Sequence, residues 1–104
     1  MSSKNLDKKR RELRRDMLAS LEKRGITGRV YTDKVDEYLE YWELHQKLLA
    51  DIEERGIVVE GGSRGPMENR SVALSIQASR QMLSIFTALG FKDADFSERE
   101  DDTL

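Results

Sequence analysis

The side chains with the richest acid–base chemistry in this sequence lie in one stretch, residues 33–45. Its carboxylates are Asp33, Asp36, Glu37, Glu40 and Glu43. His45, the only histidine in the chain, closes the stretch. General acid–base catalysis needs groups positioned on a substrate, whereas this spacing is typical of an exposed helix face. One histidine without any cysteine also argues against a zinc site. We therefore predict no catalytic residues, no metal and no cofactor, and expect His45 to have a packing or interface role.

A second candidate for chemistry is the glycine-rich loop "EGGSRG", which contains Gly61, Gly62 and Gly65. Glycine-rich loops can cradle phosphate, but this one lacks the terminal Gly-Lys-Ser/Thr of a nucleotide-binding P-loop. A flexible connector between two structural elements is the better interpretation.

The basic run "KKRRELRR" near the N-terminus is the clearest local signal for a binding partner. Residues 1–24 contain nine Lys/Arg against four Asp/Glu. Cations clustered on one helix face can neutralise DNA phosphates, which positions a protein on DNA without reading its sequence. The alternative is a solvated helix face, and no helix-turn-helix pattern supports base recognition. The predicted DNA contacts are Lys4, Lys8, Lys9, Arg10, Arg11, Arg14 and Arg15.

Composition indicates one small domain, with or without tails. Of 104 residues, 37% are charged and 38% hydrophobic, and there is no cysteine and one proline. This mixture favours helices and excludes disulfides and thiolate metal sites. The sequence shows no signal-peptide pattern and no apolar run near the roughly 20 residues that cross a bilayer. We therefore expect a soluble cytoplasmic protein without a membrane partner.

Hydrophobic periodicity predicts an all-α fold with three helices. The first helix, residues 4–24, is basic on one side, and Gly25 supplies the usual residue after a helix end. The second helix, residues 33–55, has a broad apolar stripe and a cap at Thr32 or Asp33.

The third predicted helix covers residues 70–89. A short extended segment, residues 57–59, and the glycine-rich loop precede it. Its start has three alternatives: the helix begins with Pro66 as its first residue, or its N-cap is Asn69 or Ser71. Its end is predicted before Gly90, with the next residue, Phe91, folded back on the last turn.

This third helix is too apolar for a small monomer. From Val72 to Leu89, eleven of eighteen residues are apolar, and Arg80 is the only charged one. A surface helix normally has one apolar stripe and a charged opposite face, so this helix needs apolar partners on more than one side. We expect it to form an antiparallel hairpin with the second helix, buried between subunits of a ring-like homo-oligomer. The basic helix packs against this hairpin or extends from it. The predicted interface residues are Tyr38, Trp42, Leu49, Val72, Ile76, Met82, Leu83 and Phe86.

The chain ends in an acidic segment. Residues 92–104 contain six Asp/Glu against two Lys/Arg and one large apolar residue, Phe96. We predict a helical domain, residues 1–91, followed by a flexible acidic tail, residues 92–104. Because DNA repels this charge, a protein with a basic surface is the expected partner. Phe96, Asp101 and Asp102 are the predicted docking residues, and the alternative is a solubilising tail without a partner.

The order of these features resembles the small terminase subunits of tailed bacteriophages, in the branch with a central helical hairpin and no separate helix-turn-helix. The similarity begins at "LEKRGITGRVYTDKVDEYLEYWELHQKLLADIEERGIVVE" and is strongest at "ENRSVALSIQASRQMLSIFTALGF". The acidic ending "EREDDTL" also fits, so the resemblance covers residues 12–104. This chain departs from the family where Asn69 is followed by Arg70, since Asn-Pro is frequent there. It also has "KDADFSERE" where the family often has proline and a basic stretch.

The resemblance implies a ring of identical subunits that engages double-stranded viral DNA. Such a ring delivers the DNA to the large terminase subunit, which holds the ATPase and nuclease, and regulates that motor without being an enzyme. Its place of action would be the cytoplasm of the infected bacterial host. The rival interpretation is a helical DNA-binding or protein-interaction regulator with no role in packaging.

Overall fold

Three helices and one β-hairpin form the fold in the computed structural model, which describes residues 3–96. The helices are α1 (Ser3–Lys23), α2 (Arg29–Arg55) and α3 (Arg70–Ala88). The strands β1 (Val58–Glu60) and β2 (Pro66–Glu68) connect α2 to α3, with a 3-10 turn at Gly62–Arg64 between them. A second 3-10 turn, Asp93–Phe96, follows α3. The three predicted helices are confirmed, but the fold is mostly helical rather than all-α.

The β-hairpin replaces the flexible connector predicted for the glycine-rich loop. Its strands are antiparallel, with Val59 opposite Met67, and the Gly61 N–H donates to the carbonyl of Gly65 at 2.7 Å. A Cβ atom on Gly61 would lie 2.6 Å from the backbone carbonyl oxygen of Gly65, so this close approach requires glycine. The first strand matches the predicted extended segment. The second was missed because Pro66 suggested the start of a helix and β2 has no alternating apolar pattern.

The start of α2 was predicted wrongly. The helix begins at Arg29, and its N-cap is Gly28, which provides no side-chain cap. Thr32 and Asp33, the predicted caps, lie within the first helical turns. The Thr32 hydroxyl donates back to the Gly28 carbonyl at 3.4 Å, and Asp33 pairs with Arg29 at 3.8 Å. The N-cap position, Gly28, thus lies four residues before Thr32, the first of the two predicted caps.

The α2–α3 hairpin is antiparallel, as predicted. The rings of Tyr38 and Phe86 lie 6.2 Å apart near one end, and Ser71 donates to Asp51 near the other. The C-terminal half of α1 packs across the end of the hairpin that contains Tyr38 and Phe86. The basic helix therefore packs against the hairpin and does not simply extend from it. The core therefore lies at that end and consists of Met17, Leu21, Val35, Leu39, Ile85, Leu89 and Phe91.

The C-terminus of α3 ends as predicted. Gly90 has a positive φ of 76°, and the Phe91 N–H donates to the Phe86 carbonyl at 3.1 Å, the bond of a Schellman motif. Phe91 is thereby buried in the core. Arg24, just after α1, donates from Nη2 to the Leu89 carbonyl at 2.7 Å, and its guanidinium lies 5.5 Å from the Phe91 ring centroid. The ends of α1 and α3 are joined by these contacts.

The N-terminus of α3 is capped by Asn69, one of the three predicted alternatives. Its Oδ1 accepts from the Ser71 N–H at 2.9 Å and from Arg55 at 3.1 Å. Its Nδ2 donates to the Gly56 carbonyl at 2.9 Å and to Asp51 at 3.1 Å. The side chain is fully buried, and all four of its hydrogen-bonding positions are used. Asn69 therefore joins the end of α2 to the start of α3 at the end of the hairpin opposite the core.

Candidate functional site

The seven predicted DNA-contacting cations of α1 separate into two groups. Arg10 and Arg14 face α2, where Arg10 pairs with Glu43, and Arg14 donates from Nε to Asp36 Oδ1 at 2.7 Å. The hydrogen bond with Asp36 raises the pKa of Arg14, and hydrogen bonds from Arg10 and Lys47 lower the pKa of Glu43. These pairs fix α1 to α2, so Arg10 and Arg14 are engaged within the subunit.

The other five of these seven cations are exposed: Lys4, Lys8, Lys9, Arg11 and Arg15. Four of them follow a spacing of four, three and four residues, which places them along one line of the helix. We call Lys4, Lys8, Arg11 and Arg15 the outward basic stripe. It extends about 17 Å along α1. Arg15 also contacts the neighbouring Asp16 at 3.2 Å, with 72% of its side chain exposed.

The eight predicted interface residues differ in how they lie in the single subunit. Three are exposed: Leu49, Ile76 and Leu83. Three are half-buried: Trp42, Val72 and Met82. The remaining two, Tyr38 and Phe86, pack against the core. Sequence periodicity could not separate the exposed apolar side chains from those that the core already uses.

The exposed part of that face is a stripe on α3. Val72, Ile76 and Leu83 lie on one side of the helix because they are separated by four and seven residues. Ile76 is 49% exposed and Leu83 is 65% exposed. We call these three residues the α3 stripe. Val72, at one end of the stripe, is half-buried.

A groove of about 460 Å³ lies between α2 and α3. Its lining is Tyr41, Leu44, Leu48, Leu74, Gln77, Ala78, Arg80 and Gln81. Adjoining depressions beside Leu44 are bordered by Glu37, Glu40 and Glu43, together with Arg10 and Lys47. Glu37 and Glu43 are ion-paired, which leaves Glu40 as the carboxylate at this edge without an ion pair within residues 3–96. We call the groove between the two helices the α2–α3 groove. Sequence reasoning missed it, although Tyr41, Leu44 and Leu48 have the helical spacing of a second apolar line on α2.

The acidic stretch of residues 33–45 forms surface ion pairs. Asp33, Asp36 and Glu43 pair with arginines, and Glu37 pairs with Lys34 at 3.3 Å. His45 is half-buried on α2. Within residues 3–96, no group of three or more His, Cys, Asp or Glu side chains is arranged to hold a metal ion. No helix in this described range is long and apolar enough to cross a membrane.

The predicted docking residue Phe96 packs onto the fold. Its ring lies edge-on to Phe91, with centroids 5.0 Å apart, and 5.8 Å from Phe86. Asp95 supports this turn by accepting from the Lys92 N–H at 2.8 Å. Asp101 and Asp102 lie outside the described residues. A partner that used Phe96 as an anchor would have to draw it away from this aromatic cluster.

A sequence model of the family described as phage terminase, small subunit, matches residues 11–98. This match covers more than four fifths of the chain and includes the α2–α3 hairpin, the β-hairpin and Phe96. No curated protein and no solved structure matches the chain. The helical architecture agrees with the fold that the resemblance in sequence implied. On the extent of this match, the chain belongs to the phage terminase small subunit family.

Proposed function

We propose that this protein assembles into a ring, binds double-stranded viral DNA through the outward basic stripe and delivers it to the large terminase subunit. In this role it regulates the ATPase and nuclease of the large subunit during genome packaging, in the cytoplasm of the infected host. Membership of the small-subunit family supports the packaging role. The observation that best supports DNA binding is the line of four exposed cations on α1.

The stripe has the chemistry of a phosphate-binding surface. Lys4, Lys8, Arg11 and Arg15 project together from a helix whose opposite side is fixed to α2 by apolar packing and by the pairs of Arg10 and Arg14. Each phosphate that the stripe neutralises releases counterions, which makes binding salt-sensitive. These contacts position DNA without reading its sequence. One stripe is a weak site, but a ring gathers several, and avidity raises affinity when the geometry lets them act together.

Exposed apolar surface supports self-association. The α3 stripe and the α2–α3 groove lie on the two helices of the hairpin. The molecule is also elongated: its Cα radius of gyration is 16.9 Å, whereas a compact domain of this length has about 13 Å. An elongated subunit with apolar sides buries them efficiently between copies of itself.

The acidic segment beyond Phe96 is the proposed contact with the large subunit. Residues 97–104 contain four carboxylates and one arginine. Charge of this sign is repelled by DNA and attracted to a basic protein surface. A segment of this kind supports regulation by docking and supplies no catalytic group.

The test compares two variants that remove the same charge from two different faces of α1. Lys8→Gln with Arg11→Gln disrupts the outward basic stripe, whereas Arg10→Gln with Arg14→Gln disrupts the pairs with α2. Binding of each ring to double-stranded DNA is measured by fluorescence anisotropy across a salt series. We expect the outward variant to bind more weakly and with a flatter salt slope, by about 0.9 for each phosphate that the ring no longer neutralises. The inward variant should keep the slope and lose thermal stability.

If the inward variant lost more DNA affinity than the outward variant, the DNA contact would lie on the α2-facing side of α1. Equal slopes for both variants and the wild type would remove α1 from the DNA-binding surface altogether.

A further inference from the structure

We infer that the α2–α3 groove of one subunit binds the α3 stripe of a second copy, with Arg80 of the incoming helix next to Glu40 of the accepting one. This inference rests on the proposed ring and adds the identity of the two surfaces that meet. It predicts a head-to-tail contact in which one subunit contributes a ridge and its neighbour a groove.

The two surfaces match in apolar character and in form. The ridge is the α3 stripe, where Ile76 and Leu83 leave about half or more of their area in water. The groove has an apolar floor that includes Leu44, Leu48 and Leu74. Leu44 itself is 46% exposed in the single subunit. Seating the ridge in the groove removes both apolar surfaces from water, which is the main favourable term in protein association.

The positions of the two surfaces exclude pairing within one subunit. At 100° per residue, the groove-lining positions Leu74, Ala78 and Gln81 lie about 180° around α3 from the α3 stripe. Arg80 lies at the rim between the two surfaces, and the rest of the ridge and the far side of the groove lie on different sides of α3. Association of this kind is heterologous, and it produces a ring when the rotation between subunits closes.

Charge gives the contact its register. Arg80 is exposed and stands three and four residues from Leu83 and Ile76, so it accompanies the ridge. Glu40 is exposed beside Leu44 at the α2 edge of the groove. Arg80 also borders the groove of its own subunit, yet within residues 3–96 neither it nor Glu40 forms an ion pair. An exposed pair adds little affinity, but opposite charges at the edge of an interface favour one alignment over others.

The decisive experiment blocks each surface separately and then mixes the two proteins. Leu83→Asp places a charge on the ridge and leaves the groove intact, whereas Leu44→Asp does the reverse. Both positions are exposed, and circular dichroism with an unfolding midpoint confirms that each variant folds. Ser63→Asp, at an exposed position in the turn between β1 and β2, is the matched control and should assemble like the wild type.

Native mass spectrometry of the full-length chains should show each blocked variant as a monomer and the equimolar mixture as a one-to-one heterodimer. The mixture retains one intact ridge and one intact groove, and no larger assembly can grow from that pair. A mixture that stays monomeric while the wild type is oligomeric would overturn the inference, as would full assembly of either variant alone. A wild type that is itself monomeric would instead defeat the proposed ring.

A charge exchange tests the register independently. Arg80→Glu and Glu40→Arg should each raise the concentration for half-assembly by about threefold or more, the scale of an exposed pair converted to a repulsion. The double variant should return toward the wild-type value. Additive weakening in the double variant would show that these two residues do not meet.

Discussion

Arg14 donates from Nε to Asp36 Oδ1 at 2.7 Å and so joins α1 to α2 across 22 residues of sequence. Arg10 and Glu43 form a second pair further along the same two helices. The basic run thus divides by helix face: one side pairs with α2, and the outward basic stripe is the proposed phosphate contact. Carboxylates of α2 neutralise two of the seven cations that the sequence assigned to DNA.

Removal of those carboxylates should therefore change DNA binding. In the double variant Asp36→Asn and Glu43→Gln, Arg10 and Arg14 lose their partners and two negative charges near the DNA disappear. We expect tighter DNA binding with a steeper salt slope, together with a lower unfolding midpoint. Anisotropy titrations across a salt series measure the first effect and thermal unfolding the second. Glu53→Gln with Glu54→Gln, two exposed carboxylates near the end of α2, is the control for net charge alone. If both variants bind DNA equally, the two pairs have no special influence on the DNA site.

Asn69 should be among the most sensitive single positions for stability. Asn69→Ala removes the N-cap of α3 and leaves Gly56 and Asp51 without a buried donor. The missing cap and an unsatisfied buried group together cost about 2–4 kcal/mol. Urea unfolding measures this cost, and Ser79→Ala on the exposed side of α3 should stay within about 0.5 kcal/mol of the wild type. A cost for Asn69→Ala as small as that of the control would show that the network is dispensable.

Asp51 should make stability depend on acidity. Hydrogen bonds from Arg55, Ser71 and Asn69 hold the pKa of Asp51 well below its usual value of 3.8. The folded protein therefore binds this proton less tightly than the unfolded chain does, and acid favours unfolding. The contribution is fully present above the pKa of the unfolded chain and is lost as the pH falls through about 4 towards the folded pKa. The difference in unfolding free energy between wild type and Asp51→Asn should shrink between pH 7 and pH 3, as measured by urea unfolding at each pH. A constant difference would contradict the shift.

Gly90 tests the contact between the ends of α1 and α3. Gly90→Ala places a Cβ at a φ of 76° and 2.7 Å from Arg24 Nη1, so the guanidinium must leave the Leu89 carbonyl. Gly62→Ala is the matched control, because its φ is 67° and nothing lies within 4 Å of the added atom. Backbone strain should cost each variant about 1 kcal/mol, and Gly90→Ala should cost about 1 kcal/mol more because the Arg24 hydrogen bond is broken. In an Arg24→Ala background the excess should vanish, and if it persists, Arg24 is not its cause.

Local chain chemistry explains which parts of the fold were predictable. The end of α3 followed from Gly90 and Phe91, since a Schellman turn is specified by adjacent residues. The start of α3 remained open, because Pro66, Asn69 and Ser71 all suit a helix N-terminus locally. Asn69 is the cap because its side chain also hydrogen-bonds to Asp51 and Arg55 of α2. The spacing of residues in the sequence does not reveal such tertiary contacts.

The same limit applies to the candidate site. The sequence predicted a basic helix and an apolar third helix, and both are present. It assigned all seven cations to DNA, because the register that brings Arg10 to Glu43 and Arg14 to Asp36 exists only after α1 has packed on α2. It also missed the α2–α3 groove, whose lining comes from two helices and includes Leu44 and Leu74.

Recruitment of the large terminase subunit to DNA is the most direct test of the proposed function. Biotinylated double-stranded DNA on beads is incubated with the large subunit of the same phage, alone or with the full-length small subunit, at a salt concentration that releases the large subunit alone. We expect the wild-type small subunit to retain the large subunit on the beads. A variant in which Lys4, Lys8, Arg11 and Arg15 are all replaced by Gln should not. Retention of the large subunit to the same extent with and without the small subunit would contradict the proposal that this protein brings DNA to the motor.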